Sequence, residues 1–108
     1  MYIDNNQFSS GLLCTVDTKL RDVPANVIEE LGQYLNPPLL KNWRFLAGKL
    51  GFRSLDVANF SLEPRNSTQL MLSRWQTLDF ATVSFLYGKL LEIDRSDAAK
   101  ILEPYLNQ

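Results

Sequence analysis

Residues 43–52 of the chain, WRFLAGKLGF, are the stretch that decides the fold. On a helix, residues that are three or four positions apart lie on the same side. One apolar stripe therefore consists of Trp43, Leu46, Ala47 and Leu50. The basic side chains fall outside this stripe. Gly51 follows the last periodic residue, where a glycine commonly ends a helix. The stretch therefore predicts a helix with a large aromatic anchor on its buried side and a basic outer side.

Phe45 lies away from this stripe, at the helical angle of Lys41 and Lys49. Two interpretations of its ring remain open. Either a neighbouring helix covers it, which is favoured because small helical domains bury wide stripes, or it is a partly exposed aromatic at a contact site. Phe45 is therefore a candidate both for the core and for an interaction site.

The composition of the 108 residues is that of one globular domain, with 45% hydrophobic residues and a net charge of −1. A dedicated nucleic-acid binder usually has a basic excess, so we expect no nucleic-acid partner. A helical DNA-binding module, with the basic helix on the DNA backbone, is the distant alternative. No segment reaches the roughly 20 apolar residues that cross a bilayer, so we also expect no membrane insertion.

The residue types that perform most enzyme chemistry are scarce. The chain has no histidine and one cysteine, which removes Ser-His and Cys-His pairs and any multi-cysteine zinc site. Glu29 and Glu30 would diverge by about 100° on a helix, so they would not converge on one substrate. We therefore expect no enzyme, no catalytic residues, no cofactor and no metal. A single unpaired cysteine fits a reducing, intracellular setting.

Hydrophobic periodicity predicts six helices joined by short loops. They run from about Pro24 to Leu35, Leu39 to Leu50, Leu55 to about Leu62, Asn66 or Ser67 to about Leu78, Thr82 to Ile93, and Asp94 to about Pro104. The predicted N-caps are Ser54, Asn66 or Ser67, Thr82 and Asp94, with Gln69 completing a capping box if Asn66 is the cap.

The fifth predicted helix is apolar nearly all round, which places it at the centre of the domain. No segment competes as a strand. The predicted fold class is all-α, an antiparallel six-helix bundle over residues 20–106, preceded by an N-terminal arm of residues 1–19.

Charge is segregated along the predicted helices. The second helix and its end carry only basic charges, at Lys41, Arg44, Lys49 and Arg53. Acidic residues gather on the first helix and in the connection between the fifth and sixth helices. Solvated helix faces would explain any single patch. Alternatively, basic and acidic faces of different copies dock together, which would permit head-to-tail assembly.

The tryptophan motif of the second helix, Trp-Arg-x-Leu-Ala-x-x-Leu-Gly, and a second tryptophan late in the fourth helix resemble the death-domain superfamily. Within it, the sequence is similar to the death domain of the myeloid differentiation primary-response adaptors, the cytoplasmic adaptors of Toll and interleukin receptors. That similarity rests on residues 43–52, on Leu55, Asp56, Phe60, Leu72, Trp75 and Gln76, and on Leu90, Leu91, Arg95, Asp97 and residues 102–104. The compact Pro37-Pro38 connection resembles an invertebrate variant.

The resemblance implies a non-catalytic, cytoplasmic signalling adaptor that assembles through homotypic death-domain interactions. Its implied partners are Pelle or interleukin-receptor-associated kinases, a Tube-like adaptor, and other copies of itself. A death domain borne by a kinase, a receptor or another signalling protein is the alternative.

The resemblance also implies three kinds of asymmetric contact. In the first, the second and third helices meet the first and fourth, which pairs Lys41, Arg44, Arg53 and Asp56 with Glu29, Glu30 and Gln33. In the second, the end of the fourth helix meets the corner between the fifth and sixth, which pairs Arg74, Gln76, Thr77 and Asp79 with Asp94, Arg95 and Asp97. The third involves Asn59, Arg65 and Asn66, and Phe45 is a candidate apolar centre.

Overall fold

The computed structural model describes residues 18–38 and 41–106. These ranges contain six α-helices: α1 (Ala25–Leu35), α2 (Trp43–Lys49), α3 (Ser54–Phe60), α4 (Ser67–Trp75), α5 (Val83–Glu92) and α6 (Ser96–Leu102). Three short 3-10 turns lie at Leu20–Asp22, Pro64–Asn66 and Glu103–Tyr105. The described residues form no strand, although Lys19 and Thr82 make one isolated antiparallel bridge. The prediction of an all-α domain of six helices is confirmed.

The core lies where α1 packs against α4 and α6, and where α5 packs against α6. The stripe predicted from residues 43–52 is buried, with Trp43 at 3% exposure and Leu46 and Ala47 at none. The Trp43 ring meets the Phe60 ring edge-on, at 6.3 Å between centroids. Trp75 is buried as well. Both tryptophans are therefore core residues.

Helix α2 begins later than the predicted Leu39. The Asn42 side chain accepts a hydrogen bond from the Arg44 N–H at 3.1 Å, which makes Asn42 the N-cap. Leu39 and Leu40 lie outside the described residues. Gly51 has φ +90°, a conformation that glycine adopts without steric cost, and the predicted stop at this residue is confirmed.

Helices α3 and α4 both end before their predicted last residues. Ser61 Oγ donates to the Ala58 carbonyl at 2.7 Å, and Thr77 Oγ1 donates to the Arg74 carbonyl at 2.8 Å. The carbonyl groups of the last helical turn have no backbone N–H partner within the helix. These hydroxyl groups donate to them, so the helix can end there. The predicted ends at Leu62 and Leu78 were therefore too late.

The start of α3 also differs from the prediction. Ser54 is the first helical residue, and Arg53 is the N-cap. The Asp56 carboxylate accepts the Arg53 N–H at 3.2 Å, so the capping interaction comes from inside the helix.

The N-terminus of helix α4 is capped by a residue that is distant in sequence. Asn66 is the N-cap, but its side chain caps nothing, and the predicted capping box with Gln69 does not form. Instead Asn36, at the end of α1, accepts the Thr68 N–H at 2.8 Å and donates to Gln69 Oε1 at 2.9 Å. The contact joins residues 32 positions apart, so no local pattern could have indicated it.

Asp94 does not cap the last helix as predicted. Helix α6 begins at Ser96, and Asp94 has φ +61°, in the left-handed region. The Arg95 N–H donates back to the Leu90 carbonyl at 2.9 Å, so Asp94 closes the end of α5 instead. Aspartate tolerates this conformation better than most residues. Thr82, by contrast, is confirmed as the N-cap of α5 because its hydroxyl accepts the Phe85 N–H.

Helix α5 is not enclosed on all sides, contrary to the prediction. Val83, Leu86 and Leu90 are buried, but Phe85 is 38% exposed and Leu91 is 44% exposed. Apolar side chains lie around nearly the whole of α5, but the neighbouring helices cover only part of it. None of the helices in the described ranges is long and apolar enough to cross a membrane.

Candidate protein-interaction site

The side chains predicted to make contacts are largely on the surface. All of them are exposed except Asp56 and Gln76, which are half-buried, and Arg95, which is buried. The residues of the first two predicted contacts form four groups. They are the α1 face (Glu29, Glu30, Gln33), the α2–α3 face (Lys41, Arg44, Arg53, Asp56), the α4 end (Arg74, Gln76, Thr77, Asp79) and the α5–α6 corner (Asp94, Arg95, Asp97).

Two basic side chains, one just before α2 and one at its end, are already paired within the domain. Lys41 Nζ lies 3.8 Å from an Asp94 carboxylate oxygen, and Lys49 Nζ lies 3.4 Å from one of Glu92. Glu92 also accepts from Lys89 at 3.2 Å, and chiefly this hydrogen bond lowers the pKa of its carboxyl group. The pair of Lys41 and Asp94 brings together residues that the sequence assigned to different contacts.

Asp56 is held between two arginines. Its carboxylate lies 3.5 Å from Arg53 Nε and 3.8 Å from Arg74 Nη1. The Arg74 guanidinium also lies 5.8 Å from the centre of the Phe60 ring. The α2–α3 face and the α4 end are therefore one continuous surface, with Asp56 as the link.

Arg44 is the outward-facing cation of α2. Its guanidinium lies 4.9 Å from the centre of the Trp43 ring, and it has no ion pair within residues 18–38 and 41–106. Glu30, on the α1 face, is exposed and likewise without an ion pair in those ranges. Its neighbour Glu29 accepts only a long hydrogen bond from Gln69, at 3.4 Å. The two groups are thus complementary charges available to a partner.

Arg95 lies inside the domain and not on the predicted contact surface. It is 5% exposed and donates to the Tyr34 carbonyl at 2.9 Å and the Lys41 carbonyl at 2.7 Å. Two further bonds of 3.0 Å reach the Asp97 carboxylate. Arg95 therefore ties the end of α1, the entry to α2 and the start of α6 together, and it is not part of the contact surface.

The Asp97 carboxylate gives the domain a pH-dependent stability. The hydrogen bonds from Arg95 are the main cause of its lowered pKa, against an opposing effect of burial. Because its pKa is lower in the folded chain, Asp97 stabilises the domain above its unfolded pKa of about 3.9. This contribution is lost as the pH falls through the folded pKa.

We expect Asp97→Asn to melt at a lower temperature than the wild-type chain at pH 7, with a difference that shrinks below about pH 4. Circular dichroism melts from pH 7 to pH 2.5 measure this. Glu30→Gln is the control, because Glu30 has no ion pair in the described ranges and its replacement should shift the melting temperature little. A difference between Asp97→Asn and wild type that is constant over pH would contradict the assignment.

Phe45 lies open beside the α5–α6 corner. Its ring is 53% exposed, so the favoured expectation that a neighbouring helix covers it is wrong. It lines a groove of about 480 Å³ whose other walls include Lys41, Ile93, Asp94 and Asp97. No helix within the described ranges fills this groove. A partner could contact this groove through the exposed Phe45 ring and the exposed carboxylates of Asp94 and Asp97.

Two further grooves are lined by several of the predicted contact residues. Glu29, Gln33 and Arg65 line one of about 400 Å³, which connects the α1 face with the third predicted contact. Asn59, Arg74 and Thr77 line another, of about 470 Å³. Asn66 ends the 3-10 turn that precedes α4, and Gln76 and Asp79 follow that helix. Within residues 18–38 and 41–106, no cluster of carboxylates or cysteines could hold a metal ion.

Six helices that present grooves and paired charged faces define a protein-interaction module. The sequence model of the Death domain family matches residues 28–106, and the chain belongs to this family. Death domains are non-catalytic modules that bind other death domains. Among curated proteins, the chain is similar to Tumor necrosis factor receptor superfamily member 16 of Homo sapiens, with 34% identity over 99 residues. The match covers 91% of this chain but 23% of that relative, so the chain spans about a quarter of the relative's length.

Proposed function

We propose that this death domain assembles head-to-tail, by placing the Arg44 side of α2 on the α1 face of another death domain. The observation that supports this is the distribution of ion pairs. Lys41, Lys49 and Arg53 have acidic partners within their own domain, whereas Arg44 and Glu30 have none in the described ranges. Two different faces on one molecule give an open arrangement, in which further copies can be added.

We further propose that the chain is the assembly domain of a cytoplasmic signalling adaptor. In this role it links Toll or interleukin-type receptors to Pelle or interleukin-receptor-associated kinases, directly or through a Tube-like adaptor. The support is the similarity of residues 43–52 and of the last three helices to the myeloid differentiation primary-response adaptors. The proposed domain begins near residue 20, after an arm of residues 1–19. Residues 1–17 of that arm lie outside the described residues.

A receptor-borne death domain is the second candidate. The observation that favours it is the 34% identity to Tumor necrosis factor receptor superfamily member 16. Sequencing the transcript on both sides of the present chain discriminates between the two candidates. A Toll-type domain encoded on the same transcript would support the adaptor, whereas an encoded membrane-spanning segment would support the receptor.

We expect Arg44→Glu to weaken binding to the partner death domain at least tenfold, or about 1.4 kcal/mol, because it places like charges opposite each other. Sedimentation velocity measures self-association, and isothermal titration calorimetry measures binding to the purified death domain of a Pelle-type kinase. Wild-type binding should also weaken as salt is raised, since exposed charges are screened. Helix content and melting temperature should stay nearly unchanged, because Arg44 is exposed.

Lys49→Glu is the matched control. It reverses a charge on the same helix, but Lys49 is paired with Glu92 in its own domain. We expect binding to persist in this variant. Equal losses in both variants would indicate a general effect of net charge, and unchanged binding in Arg44→Glu would show that the contact is assigned to the wrong side chain.

A further inference from the structure

An aromatic patch that no predicted contact uses lies where α4 passes into α5. It consists of Leu78, Phe80 and Phe85, which are 41%, 52% and 38% exposed. The Phe80 and Phe85 rings lie 5.4 Å apart, and both rest on the buried Trp75 ring, at 6.4 and 5.8 Å. Exposed large apolar side chains gathered at one place on a surface indicate that something covers them.

The polypeptide enters the domain directly beside this patch. The Thr18 carbonyl accepts the Val83 N–H at 2.8 Å, and the Leu20 N–H donates to the Ala81 carbonyl at 2.9 Å. Between them, Lys19 and Thr82 form an antiparallel bridge. The residues that lead into the bundle therefore pair with the segment between Phe80 and Phe85, which adjoins the patch.

The sequence before Thr18 contains a mainly apolar run. Residues 12–16 read LLCTV, and they lie outside the described residues. Each residue spans at most about 3.5 Å, so the five steps from Leu13 to Thr18 reach about 17 Å. A tether this short keeps the run at an effective concentration in the millimolar range near the patch. Even a modest apolar affinity would then be sufficient for binding.

We propose that residues 12–16 of this chain dock in cis on the aromatic patch of Leu78, Phe80 and Phe85. The docking buries apolar side chains of the run against the two phenylalanine rings. The occupant is a segment of the same chain, tethered at Thr18, so the docking does not depend on which death domain is the partner. The patch also adjoins Asp79 of the α4 end, whose carbonyl oxygen accepts a hydrogen bond from Lys19 Nζ.

The single cysteine reports on this docking, because Cys14 lies in the middle of the run. We expect iodoacetamide to modify Cys14 of the full chain slowly, and Phe80→Ser to speed the modification roughly tenfold by weakening the apolar cover. Leu13→Asp should speed it similarly, and this change alters no residue of the six helices. Combining the two changes should add little, since both remove the same contact.

Phe45→Ser is the matched control, because the Phe45 ring is 53% exposed and the Phe80 ring 52%. It should leave the modification rate unchanged. Cys14 modification that neither Phe80→Ser nor Leu13→Asp accelerates would overturn the proposal, as would an equal acceleration by Phe45→Ser. Protection that rises with protein concentration would also overturn it, by showing that the run covers another copy. Self-association of the wild-type chain, measured alongside, tests the proposed function separately.

Discussion

Arg95→Ala should lower the free energy of unfolding by about 3 kcal/mol, because hydrogen bonds to a charged group contribute about 1.5–3 kcal/mol each and their buried acceptors are left unsatisfied. The guanidinium serves carbonyls of Tyr34 and Lys41 and the Asp97 carboxylate, which belong to three parts of the fold. We expect urea denaturation to show a reduced midpoint. The loss is a sizeable share of the roughly 5–15 kcal/mol that is typical of a small domain.

Two variants separate this effect from a general loss of positive charge. Arg44→Ala also removes an arginine, but an exposed one, so stability should change by less than about 0.5 kcal/mol. Arg95→Lys keeps the charge but lacks the planar fork that reaches three acceptors, so its stability should lie between wild type and Arg95→Ala. An Arg95→Ala variant as stable as Arg44→Ala would show that the internal bonds contribute nothing.

Trp43→Ala should have a still larger effect, lowering the free energy of unfolding by about 3–5 kcal/mol. The ring is 3% exposed and packs edge-on against Phe60. Removing it leaves a cavity between α2 and α3 that the surrounding side chains cannot fill. Thermal melts followed by circular dichroism test this, and the variant should melt far below the wild-type chain.

Trp43→Phe is the conservative counterpart. It retains an aromatic ring that can still meet Phe60, so the loss should be clearly smaller than with alanine. Phe45→Ala, two residues away on the same helix, removes a ring that is half-exposed and should cost less than either. If Phe45→Ala destabilised the domain as much as Trp43→Ala, the assignment of Trp43 as the buried anchor of α2 would be wrong.

The order and class of the elements could be predicted from the sequence, because the apolar positions recur at helical spacing. The stripe at residues 43–52, the stop at Gly51 and the cap at Thr82 depend on neighbours within a few residues. The errors concern bonds that cross the fold or close a turn. Asn36 capping α4 from α1 is one such case, and Asp94 ending α5 in a left-handed conformation is another.

The surface could be predicted only in part, since a sequence shows which charges exist but not which of them meet. The positions of Arg44 and Glu30 relative to the apolar stripes predict that both side chains are exposed, and in the structure they are. It could not show that Lys41 and Asp94 pair within one domain, because they are 53 positions apart and adjoin only after folding. Nor could the sequence show that the Arg95 guanidinium donates its hydrogen bonds within the domain. The prediction that Arg95 contacts a partner therefore did not take these internal bonds into account.

The central claim, head-to-tail assembly through Arg44 and the α1 face, is tested most directly by exchanging the charges. Arg44→Glu is mixed with the double variant Glu29→Lys, Glu30→Lys, and sedimentation velocity is measured for each variant alone and for the mixture. We expect each variant alone to remain monomeric and the mixture to assemble, since each retains the face that complements the other. Assembly by either variant alone, or a mixture that stays monomeric where the wild-type chain assembles, would contradict the claim.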